Sequence, residues 1–163
     1  MDPRIAPLTE ILRLNTRLFR NCLDSITDEM AVMRPSASTN SVAFVASHVA
    51  EARFYLLQML GAEQTSPLAA YLENARGIDD VKRFPPLAEI QRAWTTASHA
   101  LRDCLAEMTA AELDAPIACP FPLPISDPTA LSLLTFFVQH DSYHIGQLAL
   151  LRKHAGLPAM QYA

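Results

Sequence analysis

Two histidines four residues apart, His140 and His144, are the side chains of this sequence best placed to do chemistry together. The residues around them have helical apolar spacing, and an α-helix of about 3.6 residues per turn projects positions i and i+4 from one face. This spacing lets two imidazoles bind one metal ion from a single helix. A chain with five histidines can contain such a pair by chance, so the pair alone does not establish a site.

A third histidine, His48, lies on the apolar stripe of an earlier helical segment, next to Val45 and Val49. A single histidine in such a place is most often a core residue with a hydrogen-bond partner. In an antiparallel bundle, however, this segment can face the one that carries His140 and His144. Three neutral imidazoles that meet in the interior lack partners for their ring nitrogens, and a divalent ion satisfies all three. We therefore predict that His48, His140 and His144 bind one divalent transition-metal ion.

Three protein ligands leave at least one coordination position for water or substrate, as in catalytic metal sites. Neutral histidines cancel none of the ion's charge of about +2, so bound water would be acidified and anionic ligands attracted. Glu51 and Gln147 each follow a predicted ligand by one turn and are candidates to orient a ligand or a bound water. Glu51 can equally be a solvated charge on the helix surface. The catalytic residues are otherwise unassigned.

The other residues near this pattern have simpler interpretations. Asp141 and Tyr143 neighbour the predicted ligands but point elsewhere on the helix, and Asp141 stands where zincin metalloproteases have glutamate. His99 is a less favoured fourth ligand, and His154 suits the last turn of a helix, where a cation complements the dipole. Gly146 weakens a helix, and a close approach of another backbone near the metal would compensate for it.

The composition argues against several other classes of function. The chain of 163 residues has a formal net charge of −4 and scattered basic residues, which argues against nucleic-acid binding. Its apolar runs are shorter than the roughly 20 residues that span a bilayer, and its N-terminus lacks a signal-peptide pattern. Cys22, Cys104 and Cys119 are widely spaced, which is typical of reduced thiols in a cytoplasmic protein. We expect Cys22 and Cys104 to be small core residues.

Four long helical segments, separated by proline-marked breaks, must position these residues. They are predicted over residues 7–25, from 40 or 41 to 61, 87–108 and 128–155. Asp127 is expected to cap the last of them, with Pro128 at its first position and a length of about 28 residues. Strand-like alternation is not evident. We therefore predict an all-α antiparallel four-helix bundle that forms one domain over residues 1–163.

The connections between these helices also carry recognisable patterns. Short turns or helices are predicted after Thr27, within residues 67–76, and at Thr109, where Glu112 completes a capping box. The stretch 115–126 contains four prolines, so no helix can pass through it. We expect it to be an ordered surface loop, because it carries three large apolar residues, Phe121, Leu123 and Ile125.

Three motifs in this order resemble a known family. The run HDSYHIGQL at 140–148, followed by Leu151, Arg152 and Gly156, resembles the fourth-helix pattern of the DinB-like superfamily of DNA-damage-inducible and YfiT-type four-helix-bundle metalloenzymes. The run NSVAFVASHV at 40–49 resembles the start of that family's second helix, and GLPAM at 156–160 resembles its tail. The resemblance covers nearly the whole chain in architecture.

This resemblance implies a three-histidine metal site, usually assigned nickel or zinc, with His48, His140 and His144 as the ligands. It also implies a homodimer, because members of the family often form one. The better-understood relatives are transferases and isomerases that use low-molecular-weight thiols, while many members have no assigned reaction. The name does not imply DNA binding, in agreement with the acidic charge of this chain.

Two functions remain open from the sequence. The first is a metal-dependent enzyme acting on a small molecule, with thiol S-transfer as the candidate reaction and a metal-dependent hydrolase as its variant. The second is a non-catalytic protein, either a metal-dependent sensor or a dimeric stress-related protein held together by its histidines. The sequence shows no dedicated nucleophile or paired carboxylate that would decide between them.

Overall fold

The computed structural model describes residues 2–119 and 122–162, and the regular elements of these two ranges are helices. Four of the helices are long, as predicted. The α-helices are α1 (Ala6–Leu23), α2 (Asp28–Val32), α3 (Val42–Met59), α4 (Ala69–Leu72), α5 (Leu87–Glu107), α6 (Ala110–Asp114) and α7 (Ala130–His154). A 3₁₀ turn at Ile78–Asp80 lies between α4 and α5. The all-α prediction is confirmed.

The four long helices pack side by side around one apolar core, so the bundle prediction is confirmed as well. Helix α7 packs against both α1 and α3, and α5 packs against α3 on its other side. Helices α3 and α7 run antiparallel, because His48 lies beside His144 while Tyr55, further along α3, lies beside Phe137. Two large rings, Phe19 from α1 and Trp94 from α5, stack at 4.2 Å between centroids and close the core.

Local capping fixes where the site-bearing helix α3 begins and ends. The Ser41 side chain accepts a hydrogen bond from the Phe44 backbone N–H at 3.2 Å, as expected of an N-cap. Gly61 then takes a φ of +88°, a left-handed conformation that glycine adopts without strain and that stops the helix. Thr27 caps α2 in the same way, and Thr109 and Glu112 form the predicted capping box of α6.

Helix α7 begins two residues later than predicted. Asp127 is not the N-cap and Pro128 is not the first helical residue. Thr129 caps the helix instead, and its side chain and that of Ser132 accept hydrogen bonds from each other's backbone N–H. Upstream of this cap, the Ile117 backbone N–H donates to the Pro128 carbonyl at 2.7 Å, which holds Pro128 outside the helix. The helix therefore has 25 residues, not about 28.

The connections follow the expected pattern where the structure describes them. Helix α4 falls inside the predicted stretch 67–76. In the proline-rich loop, Leu123 and Ile125 pack partly against the core, while Phe121 lies outside the described residues. Cys22 is buried and Cys104 half-buried, both as reduced thiols. None of the helices in the described ranges combines the length and the apolar character needed to cross a membrane.

Candidate metal centre

The structure brings His48, His140 and His144 together at the seam between α3 and α7. His48 comes from the first half of α3, and the other two histidines come from consecutive turns in the middle of α7. The Nε2 atom of His140 lies 3.1 Å from the Nε2 atom of His48 and 3.1 Å from that of His144. One ligand nitrogen from each of the three rings can be chosen so that all lie within 4.8 Å of one another.

The donor set fits a single transition-metal ion. Metal–nitrogen bonds of about 2.0–2.1 Å place nitrogens about 3.3 Å apart around a tetrahedral ion, close to the separations observed here. Hydrogen bonds among the three rings alone cannot satisfy all of their facing nitrogens. The Nε2 atom of His140 carries either one hydrogen or one lone pair, yet it faces two other ring nitrogens at hydrogen-bond distance. A cation at the centre would accept a lone pair from each ring.

Burial keeps these imidazoles neutral. It lowers the pKa of His48 to about 4 and the pKa of His140 to about 3, and the neighbouring His144 ring adds to both effects. Burial also lowers the pKa of His144, although its hydrogen bond to Gln147 acts in the opposite direction. At neutral pH the three rings therefore offer lone pairs and not positive charges, which is the state that metal binding requires.

Gln147 acts on the cluster through His144. Its side-chain oxygen Oε1 lies 2.7 Å from Nδ1 of His144, so Nδ1–H donates to the amide and Nε2 keeps its lone pair for the centre. Metal-binding histidines commonly use their second nitrogen in this way, and such partners fix the ring's orientation. The Nδ1 atom of His140 is buried without a hydrogen-bond partner among the described residues.

Glu51 is not a fully solvated charge. It lies on α3 three residues after His48, is half-buried, and its carboxylate accepts a hydrogen bond from the Ser66 hydroxyl in the segment before α4. Burial raises the pKa of Glu51 to about 7. This carboxyl can therefore gain or lose a proton near neutral pH.

Aromatic rings that the sequence analysis did not single out surround the three imidazoles. Phe44 lies parallel to His48 with 6.4 Å between ring centroids, and Phe136 lies 6.1 Å from His140. The Tyr143 ring meets His144 edge-on at 5.1 Å, although its side chain is largely exposed. A sequence signal existed for the two phenylalanines, because each lies four residues, about one turn, before a histidine.

Directly behind the imidazoles, the residue that follows His140 forms a buried ion pair. Asp141 points away from the cluster, as expected, but its carboxylate lies 2.8 Å from the Arg53 guanidinium in the core. Neither side chain is more than 2% exposed. No signal in the sequence indicated that Arg53 is buried, because an arginine in a helical segment is ordinarily a surface residue.

The remaining sequence-predicted residues lie outside the cluster. His99 is exposed on α5 and does not join the three histidines, and His154 is exposed in the last turn of α7. The expectation for Gly146 was wrong. A Cβ atom at this position would meet nothing within 4 Å, so no other described backbone approaches it closely.

An all-helical bundle with three convergent histidines on two adjacent helices belongs to the class of helical-bundle proteins that can hold one metal ion in an open site. Comparison with known families defines the class further. Residues 11–148 match the DinB superfamily, and this chain belongs to that superfamily. A search of curated proteins gave no significant match.

Solved structures agree on the fold. The chain is similar to a DinB-like protein from Bacillus cereus ATCC 10987, with 19% identity, a TM-score of 0.75 and 95% of each chain covered. It is also similar to a conserved protein from Enterococcus faecalis, with 16% identity, a TM-score of 0.70 and coverage of 94% of this chain and 96% of that one. The DinB-like protein YjoA from Bacillus subtilis matches with 12% identity and a TM-score of 0.63, over 98% of this chain and 96% of YjoA.

Proposed function

We propose that this protein is a metal-dependent enzyme that holds one divalent transition-metal ion, nickel or zinc, between His48, His140 and His144. The observation that carries the proposal is the convergence of three neutral imidazoles, whose ligand atoms all lie within 4.8 Å. The Nε2 atom of His140 faces two other ring nitrogens but carries only one hydrogen or one lone pair, whereas a cation would take a lone pair from each of the three rings. Membership of the DinB superfamily supports the same conclusion, because the sequence motifs that resemble this family imply a three-histidine metal site.

The proposed reaction is the transfer of a low-molecular-weight thiol to an electrophilic small molecule. When bound, the ion would supply the positive charge that lowers the pKa of a thiol. The chain's own buried thiols are poorly suited to be the nucleophile. Burial raises the pKa of Cys22 to about 11 and also raises the pKa of Cys104. We therefore assign the nucleophilic thiolate to a substrate and not to Cys22 or Cys104, and we place this activity in the cytoplasm, where such thiols are reduced.

Two side chains would assist the three imidazoles. We assign Glu51 the task of exchanging the substrate's proton, because its pKa of about 7 lets it gain or lose a proton at neutral pH. Gln147 is a positioning residue, since it touches His144 and fixes which ring nitrogen points to the centre. The aromatic rings around the cluster would exclude water and strengthen electrostatic interactions there.

Metal analysis combined with a thiol assay tests this function. The purified protein should contain one nickel or zinc ion per chain, and EDTA should remove it without unfolding the helical bundle. The reloaded protein should then consume glutathione, cysteine or bacillithiol with at least one member of an electrophile panel, and the EDTA-treated protein should not. Metal-dependent ester cleavage without thiol consumption would indicate a hydrolase instead. One bound ion without any turnover would indicate a non-catalytic metal-binding or stress-related protein.

We also propose that the protein forms a homodimer through the outer face of α7. Tyr143 and Leu150 are 58% and 69% exposed on this face, and Gly146 between them leaves room for a close approach by another helix. Large apolar side chains that share an exposed helix face often mark an interface. Light scattering should give about twice the mass of 18.0 kDa, and Leu150→Lys should reduce it to the monomer mass.

A further inference from the structure

The ion pair between Arg53 and Asp141 joins all four long helices at one point of the core. Arg53 of α3 donates from Nε to Oδ2 of Asp141 on α7 at 2.8 Å, and its Nη2 lies 2.8 Å from the same oxygen. Its Nη1 donates to the hydroxyls of Thr16 on α1 and Ser98 on α5, at 2.9 and 2.5 Å. The guanidinium also stacks on the Trp94 ring, 3.5 Å from its centroid.

Stability alone does not account for this arrangement. Removing two charges from water costs about as much free energy as their attraction returns, so apolar residues of similar size often serve a core equally well or better. A buried ion pair does, however, restrict which arrangement of the helices is allowed, because every alternative leaves a charge without its partner. The pair is therefore suited to fixing how α3 and α7 lie against each other.

The apolar pattern of α3 does not by itself define that arrangement. Twelve of the 18 residues of α3 are buried, and they include four alanines, Ala43, Ala46, Ala50 and Ala52. A helix that is apolar on most of its surface would still bury apolar groups after sliding by one turn, so its apolar pattern defines its position less sharply than an ion pair does. One turn is about 5.4 Å, which would move His48 out of reach of an ion held by α7.

We propose that the Arg53–Asp141 pair is the positioning element of the three-histidine centre, and this inference rests on the metal site proposed above. Asp141 directly follows His140, and Arg53 lies five residues after His48. The pair thus links the two ligand-bearing helices within about two turns of the ligands and anchors both of them to α1 and α5. It sets the relation of α3 to α7 in the metal-free protein, so that the imidazoles already converge before an ion arrives.

The test exchanges the pair for apolar side chains and measures metal affinity and stability separately. The double variant Arg53→Met/Asp141→Leu fills a similar volume without charge. The hydroxyls of Thr16 and Ser98 keep partners in it, because they donate to the backbone carbonyls of Leu12 and Trp94. We expect this variant to be helical, with a melting temperature equal to or above that of the wild type.

The decisive measurement is the Kd for Zn²⁺ and Ni²⁺, obtained by competition with a chromophoric chelator. In the double variant we expect at least tenfold weaker binding of both ions. The matched control is Asn15→Leu/Ser142→Ala, which removes a half-buried polar contact between two long helices, 2.9 Å between Nδ2 of Asn15 and Oγ of Ser142. That contact joins α1 to α7 and leaves α3 untouched, so we expect the control to change either Kd by less than twofold.

Each outcome decides the matter. A folded double variant whose Kd stays within twofold of the wild-type value overturns the positioning role while the metal site stands. Wild-type protein that binds neither ion overturns the proposed function and this inference together. If the double variant does not fold, Arg53→Lys takes its place, because it keeps the charge but loses the planar fork that holds one carboxylate oxygen from two nitrogens. The same limits then apply to the Kd of this variant: an increase of at least tenfold supports the positioning role, and a change of less than twofold overturns it.

Discussion

Removing only the cation of the buried pair should destabilise the protein strongly. Arg53→Met keeps an unbranched apolar chain that can still lie on Trp94, but it leaves the Asp141 carboxylate in the core without its charge partner. Breaking a buried pair from one side typically costs about 3–5 kcal/mol. The Asp141 side chain has no exposed surface, so solvent cannot screen the remaining charge, and we expect the full effect. For a chain of this length, that corresponds to a fall in melting temperature of about 6–20 °C.

The pH dependence of this effect identifies its cause. Burial already raises the pKa of Asp141 above its ordinary value of 3.8 in the wild type, where Arg53 opposes the rise, so the pKa should be higher still in the folded variant. A carboxyl whose pKa is higher in the folded state than in the unfolded state favours folding when it is protonated. The buried carboxylate of the variant therefore lowers the free energy of unfolding as the pH rises, and this loss of stability disappears as the pH falls. The destabilisation of Arg53→Met should therefore be largest at neutral pH and shrink toward pH 4.

Urea unfolding of both proteins at a series of pH values measures this difference. Arg13→Met is the matched control, because Arg13 is 70% exposed and its partner Glu10 is 67% exposed, so the change should cost less than about 1 kcal/mol. A loss below about 1 kcal/mol for Arg53→Met at pH 7 would refute the reasoning. A loss of the expected size that did not depend on pH would show that lost packing, not an unpaired charge, is responsible.

Three further predictions concern the centre and its surroundings. His144→Ala should lower bound zinc or nickel at least tenfold while the protein stays helical, and His99→Ala, an exposed histidine outside the cluster, should bind as the wild type does; equal metal content in both variants would contradict the ligand assignment. Glu51→Gln should abolish a pH–rate limb near pH 7, because the wild-type carboxyl titrates there; an unchanged profile would exclude Glu51 from proton exchange. In metal-free protein, the stability contributed by the neutral His48 ring should be fully present above pH 6.5 and be lost as the pH falls toward about 4. The reason is that the pKa of His48 is lower in the folded than in the unfolded state. Midpoints of urea unfolding that do not change across this pH range would contradict the burial of His48 as a neutral ring.

The sequence predicted the long helices because each has a periodic apolar stripe and a chemical start or stop. Ser41 and Gly61 start and stop α3 through contacts with only a few neighbouring residues. The two ends of α3 were therefore predicted to within about two residues. The start of α7 was misplaced for a non-local reason. Thr129 competes with Asp127 as the cap, and the backbone contact that holds Pro128 comes from Ile117, eleven positions away. A local pattern cannot show such a contact.

The convergence of the histidines was predictable from residue type, while their surroundings were not. An i, i+4 pair on one helix places two imidazoles on the same helix face. Only the packing of one further helix against that face was needed to bring His48 to them. The contact of Gln147 with His144 also followed from spacing. Arg53 and Asp141 gave no such signal, because buried charges are rare and each is accommodated only by the other, 88 residues away.

The run HDSYH shows how closely the core and the site are connected. His140 and His144 face α3, Asp141 enters the core, and Ser142 reaches Asn15 on α1, while Tyr143 is exposed. Successive residues of a helix are rotated by about 100°, so five positions reach α3, the core, α1 and solvent in a little over one turn. A substitution that shifts the core around Asp141 must therefore also move the imidazole of His140, and the metal affinity of the centre should respond to changes that never touch the ion.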